Sequence, residues 1–177
     1  MKYFKKLVGE RVYISPMNIE DAEIYTKWLN NQEITKYLSV HNSLISLSGE
    51  REYLETFSKN EFHMCIVKID NDELIGNIGL ENIDYKNGTA ELGIFIGEEE
   101  NLGKGYGSEA IKLLTNYAFQ ELRLHSIYLR VYDINTRAQR AYEKCGFVEC
   151  GRLHEALYRN GKYHDIVYME LINRDMQ

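Results

Sequence analysis

Residues 102–108 form a glycine-rich stretch whose composition and spacing are suited to binding an anion. Its alternating glycines can adopt backbone angles that other residues avoid, so successive N–H groups can point into one concavity. A helical periodicity from Ser108 to Leu122 follows, and its N-terminal end would add positive character. This combination favours a phosphate or diphosphate. The predicted binding residues are Leu102, Gly103, Lys104, Gly105, Tyr106, Gly107 and Ser108.

Two other glycine motifs explain this stretch less well. A Walker-type loop needs Gly-Lys followed by Ser or Thr, and here Gly105 follows Lys104. A dinucleotide fingerprint G-x-G-x-x-A can be read from Gly105 to Ala110, but eight residues separate Ile96 from Gly105. A nucleotide-dependent oxidoreductase and a merely structural tight loop therefore stay as weaker alternatives.

The elements that would position this loop alternate between strands and helices. A first strand is predicted at 11–14, and Asn18 and Asp21 resemble a capping pair for the helix that follows. The segment from about Asn30 to Asn60 is harder to parse, with helical character at 50–57 and polar breaks at 39–43. Further strands at 64–69, 73–80 and 89–96, joined by hairpins, precede the loop. A helix, a strand at 126–132, a short helix capped by Asn135 and a hairpin at 153–158 and 162–171 follow it.

This order predicts the α/β (α+β) class, with a largely antiparallel mixed sheet flanked by helices. With 177 residues and one proline, the chain is predicted to be a single domain, 1–177. No stretch resembles a signal peptide or a membrane span. We therefore expect a cytoplasmic protein without a membrane partner, and three cysteines without metal-ligand spacing suit a reducing compartment.

The charge balance excludes some partners. Twenty-one basic and 27 acidic residues give a net charge of −6, which argues against a general nucleic-acid binder and mildly favours a cationic partner. The five histidines show no metal-ligand spacing, so no metal is predicted.

Several of these motifs occur in the order found in a known family. The string Leu102-Gly-Lys-Gly-Tyr-Gly107, then a helix, a strand and Asn135…Ala138…Tyr142-Glu-Lys-Cys-Gly-Phe147, resembles the acyl-CoA motif of the GNAT N-acetyltransferases. Leu102 stands where that family has Gln or Arg. Residues 75–80, 90–93 and 159–163 resemble the branch with ribosomal-protein N-terminal alanine and spermidine acetyltransferases.

The resemblance implies acetyl-CoA as the cofactor. Its diphosphate would bind the glycine loop, and its pantetheine arm would pair with a splayed pair of parallel strands at 91–96 and 126–132. Main-chain groups of Ile94, Phe95 and Ile96 are implied in that pairing, and a backbone N–H of the splay could stabilise the oxyanion. Asn135 and Ala138 are further implied cofactor contacts.

The resemblance also implies catalytic residues. Tyr142 would protonate the leaving thiolate, and its structural alternative is a core tyrosine. An amine with a pKa of about 10 must lose a proton before it attacks, so a carboxylate base is expected. Glu91 is the candidate, with Glu81 on the neighbouring strand, although Glu91 could equally be a solvated strand residue.

The implied function is acetyl-CoA-dependent N-acetylation of a primary amine by direct attack on the thioester. A polyamine such as spermidine would suit the acidic acceptor region, and a ribosomal-protein or other protein N-terminus suits the branch equally. An amino sugar or aminoglycoside stays open, as does a longer acyl group. A catalytically silent CoA-binding sensor is the alternative from another class. Exposed hairpins could pair two copies in a homodimer. The acidic residues of the predicted acceptor region are Glu33, Glu50, Glu52 and Glu55.

Overall fold

The computed structural model describes residues 2–59 and 62–174. Within these ranges the chain forms eight strands and five α-helices. The strands are β1 (Leu7–Val8), β2 (Val12–Pro16), β3 (His63–Lys68), β4 (Leu74–Asp84), β5 (Thr89–Ile96), β6 (Ser126–Tyr132), β7 (Val148–Arg159) and β8 (Lys162–Ile172). The helices are α1 (Ala22–Leu29), α2 (Gln32–Thr35), α3 (Leu47–Phe57), α4 (Tyr106–Gln120) and α5 (Thr136–Lys144).

The strands join one mixed sheet in the order β1-β2-β3-β4-β5-β6-β8-β7. Antiparallel pairing dominates, and β5 with β6 forms the parallel pair. The parallel register runs only from Thr89↔Ser126 to Glu91↔Tyr128, whereas β6 stays paired with β8 as far as Tyr132. The predicted mixed α/β class with a parallel pair is therefore confirmed.

The chain divides into two compact units, each built from two segments. The first comprises Met1–Gly79 and Ile94–Ala110, and the second comprises Leu80–Gly93 and Ile111–Gln177. A buried aromatic and aliphatic cluster forms the core of the first unit, and an apolar face of α4 with alternate residues of β6 and β8 supplies that of the second. Core residues of the first unit include Tyr13, Tyr25, Trp28, Leu54 and Val67, and those of the second include Ile111, Leu114, Ile127, Leu129, Val167 and Met169.

Helix ends follow the capping residues with two differences from expectation. Asn135 caps α5 by accepting from Ala138 N at 3.2 Å, as predicted. Helix α4 begins at Tyr106, two residues before the predicted Ser108, and ends at Gln120 rather than Leu122. Asn18 caps a 3₁₀ turn, but Asp21 does not complete the capping pair, because its buried carboxylate binds Lys2 and the Tyr3 hydroxyl.

The segment that follows Asn30, whose secondary structure was hard to predict, contains short helical pieces. Helix α2 precedes a 3₁₀ turn at Ser39–Asn42, where polar breaks were expected. Ser46 accepts from Gly49 N at 3.1 Å, so α3 begins three residues before the predicted Glu50. Asn60, the predicted end of the segment, lies outside the described residues. No helix in the described ranges is both long and apolar enough to cross a bilayer.

One carboxylate in this segment, that of Glu50, is buried. Glu50 lies in the first turn of α3, is 3% exposed, and its side chain makes no hydrogen bond or ion pair within residues 2–59 and 62–174. Burial raises the pKa of Glu50 to about 7. The charge of Glu50 also contributes to a raised pKa of Tyr25, although burial of that hydroxyl is the larger cause.

We expect Glu50→Gln to stabilise the protein at pH 8 by up to about 3 kcal/mol. The pKa of Glu50 is raised on folding from its ordinary 4.5 to about 7, so protonation favours the folded state, and this contribution is lost as pH rises through that window. Urea denaturation at pH 4.5 and pH 8 measures the difference, which should nearly vanish at the lower pH. A pH-independent difference would contradict the assignment. Exposed Glu52→Gln is the matched control.

Candidate active site

The glycine loop presents a row of backbone donors. Gly103 and Gly105 have φ angles of +73° and +86°, in the left-handed region that favours glycine. The N–H groups of residues 103–107 have no acceptor in the described part of the chain, whereas the flanking Leu102 N and Glu109 N donate to Glu99 O and Gly105 O, each at 3.0 Å. Five consecutive free donors at the start of α4 suit an anion with several oxygens.

A carboxylate secures the downstream end of this loop. Glu109, in the first turn of α4, accepts from Arg11 N at 2.8 Å, Val12 N at 3.2 Å and Arg11 Nε at 2.9 Å. Burial alone would raise the pKa of Glu109, but these hydrogen bonds and the guanidinium charge outweigh it, so the net pKa is lowered. Glu109 is therefore held ionised as an anchor.

Arg11 also reaches the loop itself. Its Nη1 donates to Lys104 O at 2.8 Å, and its guanidinium carbon lies 5.2 Å from the centroid of the Tyr106 ring. The Arg11 side chain is half exposed. Ninety-three residues separate Arg11 from Lys104, so this contact is purely tertiary.

A second carboxylate secures the upstream end. Glu98 Oε1 accepts from Trp28 Nε1 at 2.8 Å and from Lys27 Nζ at 2.9 Å. The Trp28 hydrogen bond is the main cause of a lowered pKa of Glu98, and the Lys27 contact adds to it. The loop thus leaves β5 and enters α4 between two anchored carboxylates.

The predicted pantetheine strand lies next to the loop in the first unit. A Cβ added to Gly107 would lie 3.7 Å from Ile94 Cδ1 and 3.8 Å from Ile96 Cγ1, which is ordinary contact. Phe95 packs edge-on against Trp28, with ring centroids 6.0 Å apart. The structure therefore brings Ile94 and Ile96 together with the start of α4, and it packs the partly buried Phe95 against the rings of Tyr25 and Trp28.

Glu91 lies in a polar cluster of the second unit. Its Oε1 accepts from Arg130 Nε at 2.5 Å, and its Oε2 accepts from Asn82 Nδ2 at 3.1 Å and, more weakly, from the Tyr128 hydroxyl at 3.4 Å. Glu91 is 8% exposed. Both of its oxygens therefore already have donors, and the carboxylate ties β5 to β6 at the last parallel register pair.

Tyr142 lies on α5, also in the second unit. Its ring centroid is 6.1 Å from that of Phe147, and its hydroxyl has no hydrogen-bond partner among the described residues. Burial, with a smaller contribution from Cys145, raises the pKa of Tyr142 to about 12. The phenol is therefore protonated at neutral pH, with its hydrogen free to be donated. Ala138 and Asn135 share the cap of the same helix.

The sequence analysis did not identify residues that act by binding other side chains or backbone groups of the site. Arg11, Glu109 and Tyr128 carry no local motif, and only distant contacts give them a role. Arg130 likewise carries no local motif, and its contact with Glu91 gives it a role. Among the described residues, no group of three or more His, Cys, Asp or Glu side chains is placed to hold a metal ion.

Comparisons with known proteins agree on one family. A family model described as an acetyltransferase (GNAT) domain matches residues 11–148. The spermidine N(1)-acetyltransferase of Vibrio cholerae is 37% identical over 70% of this chain and 70% of its own length. Bacillus subtilis YdaF, whose name assigns it provisionally to ribosomal N-acetyltransferases, is 30% identical over 96% of each chain.

Solved structures share the fold. A crystal structure of spermidine N-acetyltransferase from Vibrio cholerae, in complex with CoA and spermine, superposes with a TM-score of 0.80 at 29% identity, covering 91% of this chain and 95% of that one. An acetyltransferase of the GNAT family from Bacillus anthracis gives a TM-score of 0.82 at 22% identity, covering 94% and 97% of the two chains.

We expect Gly105→Ala to weaken CoA binding at least about tenfold, and Gly107→Ala to change it less than about threefold. A methyl group at position 105 is strained by the positive φ and lies 3.2 Å from Arg11 Nη2, whereas one at position 107 meets only ordinary contacts. Isothermal titration calorimetry with CoA measures both variants. Equal losses would show that the loop conformation at Gly105 is not what binding requires.

Proposed function

This chain is a GNAT-family N-acetyltransferase, and from that premise we propose that it transfers the acetyl group of acetyl-CoA to a primary amine by direct attack on the thioester. The observation that carries the proposal is the row of five unpaired N–H groups at residues 103–107. Backbone N–H donors of this kind suit the non-bridging oxygens of the CoA diphosphate. A relative of the same fold binds CoA in its crystal structure.

The donor would lie along the predicted cofactor residues. The loop of residues 102–108 holds the diphosphate, and the backbone of Ile94, Phe95 and Ile96 adds the pantetheine amides as an extra strand. The pairing of β5 with β6 stops at Glu91↔Tyr128, which leaves backbone groups beyond that point for such a ligand. Asn135 and Ala138 stay predicted contacts.

Tyr142 is the proposed general acid. When the amine attacks, the C–S bond of the tetrahedral intermediate breaks and the departing thiolate takes the phenolic proton. A pKa of about 12 keeps Tyr142 protonated over the physiological range. Its hydroxyl has no competing acceptor among the described residues, so the proton is available to the sulfur.

The general base stays a prediction. Glu91 was its candidate, but Arg130, Asn82 and Tyr128 already donate to the Glu91 carboxylate. An ammonium group that approached Glu91 would have to compete with these three donors for the two carboxylate oxygens. The geometry favours a positioning role for Glu91 and proton removal by water.

The proposed acceptor is a polyamine or a protein N-terminus. A net charge of −6 and the carboxylates of α3 favour a polycationic amine. The Vibrio cholerae relatives are named for spermidine, and one was crystallised with spermine. YdaF, in turn, is named for ribosomal acetylation. Fold alone does not choose between these classes.

Three further features belong to this proposal. Residues 1–177 would act as one acyl-CoA N-acyltransferase domain, since relatives match 96% of the chain. Strand β7 is an edge strand with exposed Val148 and Leu153, which favours pairing with a second copy in a homodimer. All three cysteines are free, which suits the predicted cytoplasmic location.

An amine panel tests the function. The protein is incubated with acetyl-CoA and spermidine, spermine, an alanine-initiated peptide, or an aminoglycoside, and free thiol is measured. We expect turnover with at least one polyamine or peptide. Tight binding of CoA with no thiol release from any amine would instead support the alternative of a silent CoA-binding sensor, which the occupied carboxylate of Glu91 favours.

Tyr142→Phe should lower kcat by about 10²- to 10⁴-fold and leave KM for acetyl-CoA nearly unchanged, because it removes only the acidic proton. Thiol-release kinetics measure both constants. The Tyr3→Phe variant is the control, since the Tyr3 hydroxyl binds Asp21 in the first unit. An unchanged kcat for Tyr142→Phe would exclude Tyr142 as the acid.

The same kinetics with Glu91→Gln separate two roles for that residue. If Glu91 accepts the amine proton, the variant loses activity together with the acidic limb of the pH-rate profile, while stability stays near wild type. If Glu91 ties the strands, the variant loses stability and keeps the shape of the profile, because Gln cannot reproduce the charged hydrogen bond with Arg130.

A further inference from the structure

We propose that Arg11 is the residue that positions the glycine loop for the diphosphate of acyl-CoA, and that it adds its positive charge to that site. This inference rests on the proposed function, because it assigns a role within the proposed cofactor site. Arg11 lies just before β2, outside every motif of the acyl-CoA pattern, and nothing in the sequence around it indicates a ligand.

The first step concerns the peptide between Lys104 and Gly105. Arg11 Nη1 donates to Lys104 O at 2.8 Å, so this carbonyl points toward the guanidinium. In a planar trans peptide the carbonyl and the following N–H point in opposite directions. The Gly105 N–H is thereby directed away from Arg11, and it joins the unpaired donors of residues 103–107.

The second step concerns how Arg11 is itself held. Its backbone N–H and Nε both donate to the Glu109 carboxylate, at 2.8 Å and 2.9 Å, and Val12 N adds a third donor. A planar guanidinium offers several donors in a fixed geometry, so Nε can bind Glu109 while Nη1 binds Lys104. An ammonium group on a flexible stem cannot reproduce both contacts at once.

The third step concerns the remaining nitrogen. Arg11 Nη2 donates to no acceptor among the described residues and would lie 3.2 Å from a Cβ placed on Gly105. The Arg11 guanidinium therefore lies beside the loop, and its Nη2 keeps N–H groups that could bind a ligand. The family pattern has Gln or Arg at the position of Leu102, which is apolar here. Arg11 supplies a cation where that loop position does not.

The test compares two acyl donors. Acetyl-CoA carries the diphosphate, whereas acetyl-pantetheine carries the same thioester and amides without it. We expect Arg11→Ala to raise KM for acetyl-CoA by about 10- to 100-fold with kcat changed less than about threefold. With acetyl-pantetheine, Arg11→Ala and wild type should have equal kcat/KM. Arg11→Lys, which keeps the charge and loses the planar geometry, should stay closer to Arg11→Ala than to wild type.

Several results would overturn the proposal: an unchanged KM for acetyl-CoA, an equal loss with both donors, or full recovery by Arg11→Lys. Lys86→Ala, which removes one positive charge from an exposed turn, is the control and should match wild type.

If Arg11→Ala does not fold, Glu109→Gln tests the same contact, because its amide can still accept from the backbone but holds the guanidinium less firmly. Its KM for acetyl-CoA should rise about three- to tenfold, and an unchanged KM would contradict the role of Arg11.

Calorimetry with CoA itself separates failure of this inference from failure of the proposed function. Wild-type protein that does not bind CoA would remove the proposed function and the role of Arg11 together. Wild-type protein that binds CoA, with Arg11→Ala binding equally well, would overturn the role of Arg11 alone. We expect CoA binding by wild type and a 10- to 100-fold weaker affinity in Arg11→Ala, in step with the rise in KM.

Discussion

The site depends on backbone donors that the protein leaves unpaired. A buried N–H without an acceptor costs free energy, so a row of five is tolerated only where solvent or a ligand can reach it. The left-handed glycines at 103 and 105 hold the loop in a conformation that a helix or strand would not provide. The start of α4 then adds its dipole to the same donors. An anion that met these groups would replace solvent with oriented protein dipoles, so the loop suits a phosphate group even in a chain with a net charge of −6.

Three carboxylates show how the protein uses negative charge to fix its own backbone. Glu98 and Glu109 anchor the two ends of the loop, and Glu91 joins β5 to β6 where their pairing ends. Each accepts donors from residues distant in sequence, and charge-assisted hydrogen bonds are strong enough to hold such contacts. Glu50 contrasts with them, because burial without a partner raises its pKa to about 7. Tyr142 differs again, since its raised pKa preserves a proton that nothing else in the described chain accepts.

Family membership and fold define the donor side of the reaction more closely than the acceptor side. The family model covers the glycine loop and the strand before it, whereas residues 30–46 form short helical pieces with irregular connections. Irregular surface segments of this kind often carry the residues that bind a substrate. The relatives accordingly carry names that refer to both polyamine and ribosomal acetylation. The exposed carboxylates Glu52 and Glu55 of α3, unlike the buried Glu50, favour a cationic acceptor.

The sequence by itself determined what short-range physics controls. Glycine spacing indicated the loop, periodicity predicted α4 and most of the strands, and Asn135 marked the start of α5. The short strand β1 was not predicted, and β7 begins at Val148, five residues before the predicted start at Leu153. The first part of the segment at 30–59 resisted this approach, because α2 and the 3₁₀ turn at Ser39–Asn42 have four residues each and are too short for periodicity to distinguish them from turns. Only the tertiary structure decided which charged side chains have hydrogen-bond partners, and which partners these are. Arg11 reaches Lys104 and Glu109 across more than 90 residues, and Glu91 binds Arg130, a partner 39 residues away. Hydrogen bonds of this kind depend on where distant backbone segments meet, and that geometry is absent from any local pattern of residues.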